Sequence, residues 1–149
     1  MTRSSPRSPK ETVLAAWAAF GSRDPDQITA AFTPDAVWIA PVGNATATAL
    51  GEASGRLDRD TIARFISTRL DRLFVSDMSV EVTKLIAEGQ TVMIEQRFRA
   101  TLVNGRAYDN AYCFVFEVEG EQVREMREYM DTLGGQTQVF GEAPPRKIA

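Results

Sequence analysis

The stretch NGRAYDNAYCFVFEVEGEQVREMREYMDT, Asn104–Thr132, alternates polar and apolar residues and is interrupted at Glu119-Gly120. A period of two marks β-strand, because successive side chains leave a strand on opposite faces. The same period begins near Met78. Glu88-Gly89, Asn104-Gly105 and Glu119-Gly120 divide the region into four consecutive strands, a meander. Strands this long twist and coil, so their sheet wraps part way around whatever packs on its concave face.

Upstream the period is 3.6. Ser8-Pro9-Lys10-Glu11 is a capping box with proline at the first helical position, which predicts a helix to about Ser22. Asp24-Pro25-Asp26-Gln27 repeats the device and predicts a shorter second helix. Ala36–Ala40 reads as a short strand stopped by Pro41, and Val42–Arg56, rich in Gly, Ala and Thr, reads as a loop. Asp58 can cap a third helix with Ile62, Phe65, Ile66, Leu70, Leu73 and Phe74 on one side. The fold class is therefore α+β: N-terminal helices packed on a curved, mostly antiparallel sheet. The expected division is a polar tail at 1–7, one domain at 8–141 and a second tail at 142–149.

Composition narrows the function. The chain has 149 residues, a length suited to one core. A net charge of -3 and scattered basic residues offer nothing to a phosphate backbone, so no nucleic-acid partner is expected. No apolar run approaches the roughly 20 residues of a membrane span. Arg3, Arg7 and Lys10 precede an apolar stretch in the order of a signal peptide. Glu11 and the helical spacing of Val13, Trp17 and Phe20 argue against one, and a cytoplasmic protein is expected. Histidine is absent and Cys113 is the one cysteine, which removes Ser-His-Asp and Cys-His catalysis, a disulfide and His- or Cys-rich metal sites. No metal or cofactor is expected. Proton transfer would rest on carboxylates, tyrosine, lysine or water.

Register follows from the turns. A two-residue loop at Asn104-Gly105 pairs Val103 with Arg106, placing Glu95 opposite Phe114, Arg97 opposite Tyr112 and Arg99 opposite Asn110 on one side of the sheet. By alternation alone these charges read equally well as a solvated face. The aromatic partners argue for an enclosed one, where ionic groups must be paired. The last hairpin leaves two registers open: a two-residue turn at Glu119-Gly120 sets Arg127 across from Tyr112, and a three-residue turn sets Glu128 there.

The segment Asn104–Thr132, with AAFTPDAVWIAP at Ala30–Pro41, resembles the SnoaL-like, ketosteroid-isomerase-like families of the nuclear-transport-factor-two-like fold over about Thr12 to Thr132. The resemblance implies a cone-shaped domain with a pocket between helices and sheet, and a homodimer through the outer sheet face. It puts Trp17, Phe20, Val37, Ile39, Leu70, Phe114 and Met130 on the pocket wall with Asn110 and Tyr112, and it favours the register with Glu128 inside. The isomerase pattern itself is broken, since Ala40 stands where that enzyme has its general-base aspartate. The constellation is closer to an altered limonene epoxide hydrolase, with Glu95, Arg97 and Glu128 at that family's charged positions.

The implied function is a cofactor-independent enzyme acting on a small hydrophobic metabolite, polyketide- or terpenoid-like, by epoxide opening, cyclisation or isomerisation. Glu128 and Glu95 would be acid and base, Arg97 would hold both, and Tyr112 and Asn110 would orient the reacting oxygen. The alternatives are a noncatalytic protein that binds a small molecule in the same pocket, and an assembly module using the sheet face.

Overall fold

The computed structural model describes residues 4–149; Met1, Thr2 and Arg3, part of the expected tail, lie outside the described residues. Helix α1 (Pro9–Ser22) starts where its capping box requires. Ser8 Oγ accepts from the Glu11 N–H at 3.3 Å, and the Glu11 carboxylate accepts from the Ser8 N–H at 2.7 Å. Asp24 caps α2 (Pro25–Ala31), accepting from the Asp26 N–H at 2.9 Å. Strand β1 (Phe32–Ile39) follows, four residues longer at its start than the sequence suggests.

The loop after Pro41 contains a short helix α3 (Ala45–Ala49) and a three-residue strand β2 (Arg56–Asp58). Small residues hide α3 from any periodicity test, but its cap is legible: Asn44 Oδ1 accepts from the Ala47 N–H at 3.0 Å. Asp58 caps α4 (Arg59–Arg64), which runs through a π-helical turn at Phe65–Arg69 into α5 (Leu70–Leu73). The meander is β3 (Phe74–Glu88), β4 (Thr91–Leu102), β5 (Ala107–Glu119) and β6 (Gln122–Met130). Asp131 then caps α6 (Thr132–Phe140). The C-terminal end of the chain reaches the end of α3, where the Ile148 N–H donates to the Ala49 carbonyl at 2.9 Å.

The six strands form one sheet in the order β2-β1-β6-β5-β4-β3, antiparallel except for the β1–β6 pair. The core lies between the helices and the concave face, around Ile28, Phe32, Ile62, Leu73, Phe116 and Met126. Each such side chain is worth about 1.5–3 kcal/mol of burial, so this layer sets the orientation of everything on it.

Two registers decide which side chains reach that face. The β4–β5 connection is a three-residue loop, not the expected two-residue one. The Gly105 N–H bonds to the Leu102 carbonyl, the Leu102 N–H to the Arg106 carbonyl, and Gly105 holds a φ of 82°. A turn followed by a left-handed residue adds one position, which glycine tolerates without a Cβ penalty. The partners become Glu95 with Cys113, Arg97 with Ala111, Gln96 with Tyr112 and Ile94 with Phe114. One residue of slip exchanges faces. Asn110, Tyr112 and Phe114 stay inside as expected, while Glu95, Arg97 and Arg99 turn outward.

In the last hairpin Glu119 pairs with Gln122 around Gly120-Glu121, and the register shifts next to Glu117 so that Glu117 faces Glu125 and Phe114 faces Glu128. The bulge puts an extra residue, Arg124, in β6. Glu128 therefore arrives inside by a bulge rather than by a three-residue turn, and Phe114, not Tyr112, lies across from it.

Candidate active site

Three layers meet around a cavity of about 650 Å³: α1, the α4–α5 helix with its π turn, and the inner face of the meander. Its walls are aromatic. Trp17 stacks on Phe20 with ring centres 5.2 Å apart, Phe20 on Trp38 at 6.1 Å, and Tyr112 lies parallel to Phe114 at 5.7 Å. The exposed lining residues Asp71, Met78, Ser79 and Val80 mark the solvent end, where the half-buried Arg23 pairs with Asp71 at 3.3 Å.

Glu128 is the polar centre of the deep end. It is 5% exposed. Trp38 Nε1 donates to its Oε2 at 2.9 Å, and Asn44 Nδ2 donates to its Oε1 at 3.1 Å. Burial raises its pKa to about 7; the two N–H donors favour the carboxylate and oppose that rise without cancelling it. The group is thus poised to be half ionised near neutral pH, inside an apolar cavity.

A second cluster lies beside it on β5. The hydroxyls of Tyr108 and Tyr112 are 2.6 Å apart, and Asn110 Nδ2 donates to Tyr108 Oη at 3.2 Å and to the Asp131 carbonyl at 3.0 Å. Desolvation raises both phenols, Tyr112 well above its ordinary value, so both stay protonated and able to donate. An Asn amide nitrogen only donates, so Tyr108 Oη accepts from it. Tyr108 is 1% exposed, and its bond to Tyr112 can run in either direction, so Tyr112 reaches the cavity it lines as a hydroxyl able to donate or accept.

Among the residues expected at the site, Trp17, Phe20, Leu70, Tyr112, Phe114 and Glu128 line this cavity. Asn110 is buried behind Tyr112 as its support rather than on the wall. Met130 shares the inner face but packs against α6, its Cε 3.1 Å from where a Gly135 Cβ would stand. Val37 and Ile39 point the other way: in β1 it is Trp38 that turns inward, beside buried Met126 of β6. Glu95 and Arg97 lie on the opposite side of the sheet. There Glu95 accepts from Thr83 Oγ1 at 2.8 Å, and Arg97 grips Asp109 with two bonds of 2.6 and 3.1 Å. The Glu-Arg-Glu constellation is therefore not assembled, because the Gly105 loop turned β4 over.

Sequence reasoning missed Trp38, Asn44 and Gln96. Gln96 had a signal, since Ile94, Gln96 and Phe98 share a parity and a lone uncharged polar residue among apolar ones belongs inside. Trp38 had none, because Val37, Trp38 and Ile39 are all apolar. Among the described residues no three His, Cys, Asp or Glu side chains are grouped to hold a metal ion.

Residues 13–126 match the family described as the SnoaL-like domain. No curated protein matches the sequence. Several solved structures share the fold. A nuclear-transport-factor-two-like protein of unknown function from Burkholderia pseudomallei is 23% identical, with a TM-score of 0.75 over 90% of this chain and 99% of the other. A ketosteroid isomerase-like protein from Catenulispora acidiphila, in complex with trimethylamine, is 17% identical, with a TM-score of 0.69 over 91% and 95%. TerC, co-crystallised with polyporic acid, is 21% identical, with a TM-score of 0.72 over 89% and 98%.

Proposed function

The chain belongs to the SnoaL-like domain family, and we propose that it is a cofactor-independent isomerase or cyclase for a small, mostly hydrophobic, polyketide- or terpenoid-like molecule, with Glu128 as the acid/base residue. The observation that carries this reading is one deep carboxylate with a pKa of about 7 at the closed end of an aromatic cavity. A general base works best with a pKa near the working pH.

The chemistry suited to this geometry is proton abstraction next to a carbonyl. Glu128 takes the proton, the electron pair moves toward the carbonyl oxygen, and Tyr112 donates to that oxygen as charge develops. The protonated Glu128 then returns the proton at another carbon, completing an isomerisation, or the enolate carbon attacks an internal carbonyl, closing a ring, and Glu128 returns its proton to the alkoxide so formed. Trp38 and Asn44 hold the carboxylate in place between the two steps. Epoxide opening is less supported, because Arg97 and Glu95, the groups that would complete an acid-base pair with Glu128, lie across the sheet.

Binding without turnover is the competing reading, favoured by the fact that both Glu128 oxygens already have donors. Hydrogen-deuterium exchange separates the two. Wild-type protein incubated with a panel of enolisable cyclic ketones in D2O should introduce deuterium, read by mass spectrometry, and Glu128→Gln should slow the incorporation about 10²- to 10⁴-fold. Equal incorporation by both proteins removes Glu128 as the base; a ligand bound by wild type yet recovered without deuterium favours the binding protein.

A further inference from the structure

Gln96 stands on β4 with its side chain in the cavity wall, 6% exposed, and it takes no part in the proton transfer described above. Its Oε1 accepts from Trp17 Nε1 at 2.7 Å. An indole N–H can only donate, so the amide is oriented by chemistry: oxygen toward Trp17, nitrogen away from it. The Gln96 Nε2 then offers two N–H donors, and neither has an acceptor among the described residues. The nitrogen is not sealed from solvent, so it opens on the cavity as an oriented donor for whatever fills it, water or ligand.

Its neighbour across the strand pair is polar as well. Gln96 and Tyr112 are directly paired across β4 and β5, so their side chains stand side by side on the inner face. The Tyr112 hydroxyl also lines the cavity and is hydrogen-bonded to Tyr108, with either oxygen able to donate. An amide donor and a phenol hydroxyl thus border the same stretch of wall, one strand over from the Phe114–Glu128 pair.

We propose that Gln96 is a substrate-binding and specificity residue whose Nε2 holds an acceptor oxygen of the ligand, so that the cavity selects molecules bearing a carbonyl group over hydrocarbons of the same shape. This deepens the functional reading above, resting on the cavity being a small-molecule site and not on turnover. Trp17 is the positioning residue: its N–H fixes which end of the Gln96 amide faces the ligand.

The test uses two flat probes that differ in one oxygen, 9-fluorenone and fluorene, with binding measured by equilibrium dialysis at pH 8. Gln96→Glu keeps an oxygen for Trp17 but removes the amide donors; Gln96→Met removes both. In each variant the fluorenone-to-fluorene affinity ratio should fall about tenfold from the wild-type ratio, the value of one hydrogen bond, while fluorene still binds and certifies an intact cavity. Trp17→Phe, which frees the amide to turn, should lower the ratio by a smaller factor. An unchanged ratio in a Gln96 variant that still binds fluorene overturns the proposal and leaves the cavity reading standing. Failure of wild-type protein to bind either probe counts against the cavity as a small-molecule site, and the proposal falls with it.

Discussion

Strand β4 carries two chemistries back to back. Outward, Arg97 and Arg99 both reach Asp109, at 2.6 and 3.5 Å, and Arg99 also reaches Glu81 at 3.1 Å. Inward, Ile94 packs in the core while Gln96 and Phe98 line a wall whose one deep carboxylate comes from β6. By charge count the outer face is the richer. Its side chains are nearly half exposed, though, so water and salt screen each pair to about 1 kcal/mol or less. The inner carboxylate is removed from water and has only neutral N–H partners, so its protonation is the electrostatic event with a large free energy. The shift in protonation here follows burial and not the number of charges on a strand.

The sharpest test of that contrast is the pH dependence of stability. The folded Glu128 has a pKa of about 7 against 4.5 for an ordinary glutamate. Between those values the folded state binds more protons than the unfolded one, so stability from this group is full below about pH 4.5 and is lost as pH rises through 7. Glu128→Gln has no such loss. Relative to wild type, its stability should therefore gain about 3 kcal/mol between pH 4.5 and 8.5, measured by urea unfolding at each pH. A constant difference across that range would mean that Glu128 is ionised throughout.

A smaller effect is expected at Trp38. Trp38→Phe removes the N–H that donates to Oε2, a bond favouring the carboxylate and worth about 1.5 kcal/mol or more, as for other bonds to charged groups. The pKa of Glu128 should rise by about one unit, and the pH midpoint of deuterium incorporation should move up with it. A midpoint that stays in place would show that burial alone governs the group.

The outer face should give the least. Arg97→Ala breaks the paired bonds to Asp109, yet it should change the unfolding free energy by less than about 1 kcal/mol, and by less still in 0.5 M salt. A loss of several kcal/mol would mean that a partner covers this face in solution.

The elements themselves were legible in the sequence. Capping residues at Ser8, Asp24 and Asp58 start helices where the sequence places them, and the period-two run from Met78 onward is the meander. What escaped is α3, β2 and the helical form of the short terminal element, α6. α3 and β2 are too short for periodicity, and α6 carries Gly134 and Gly135, which depress helix propensity. Gly135 earns its place by packing, because a Cβ there would come within 3.1 Å of Met130 and 3.3 Å of Asn110.

The site divides along the same line. Alternation within a strand is local, so the sequence determined that Asn110, Tyr112 and Phe114 share one face, and that Glu95 and Arg97 share one face. The face each set would take depends on one residue of loop length at Gly105 and one bulge residue at Arg124. Only the tertiary structure decided those, since a turn type and a bulge are selected by which register buries the apolar set, and that energy belongs to the packed core and not to the turn. The same holds for Glu128. Its identity as a carboxylate is written in the chain, but its place between Trp38 and Asn44, and the pKa of about 7 that follows, exist only once three distant segments close around it.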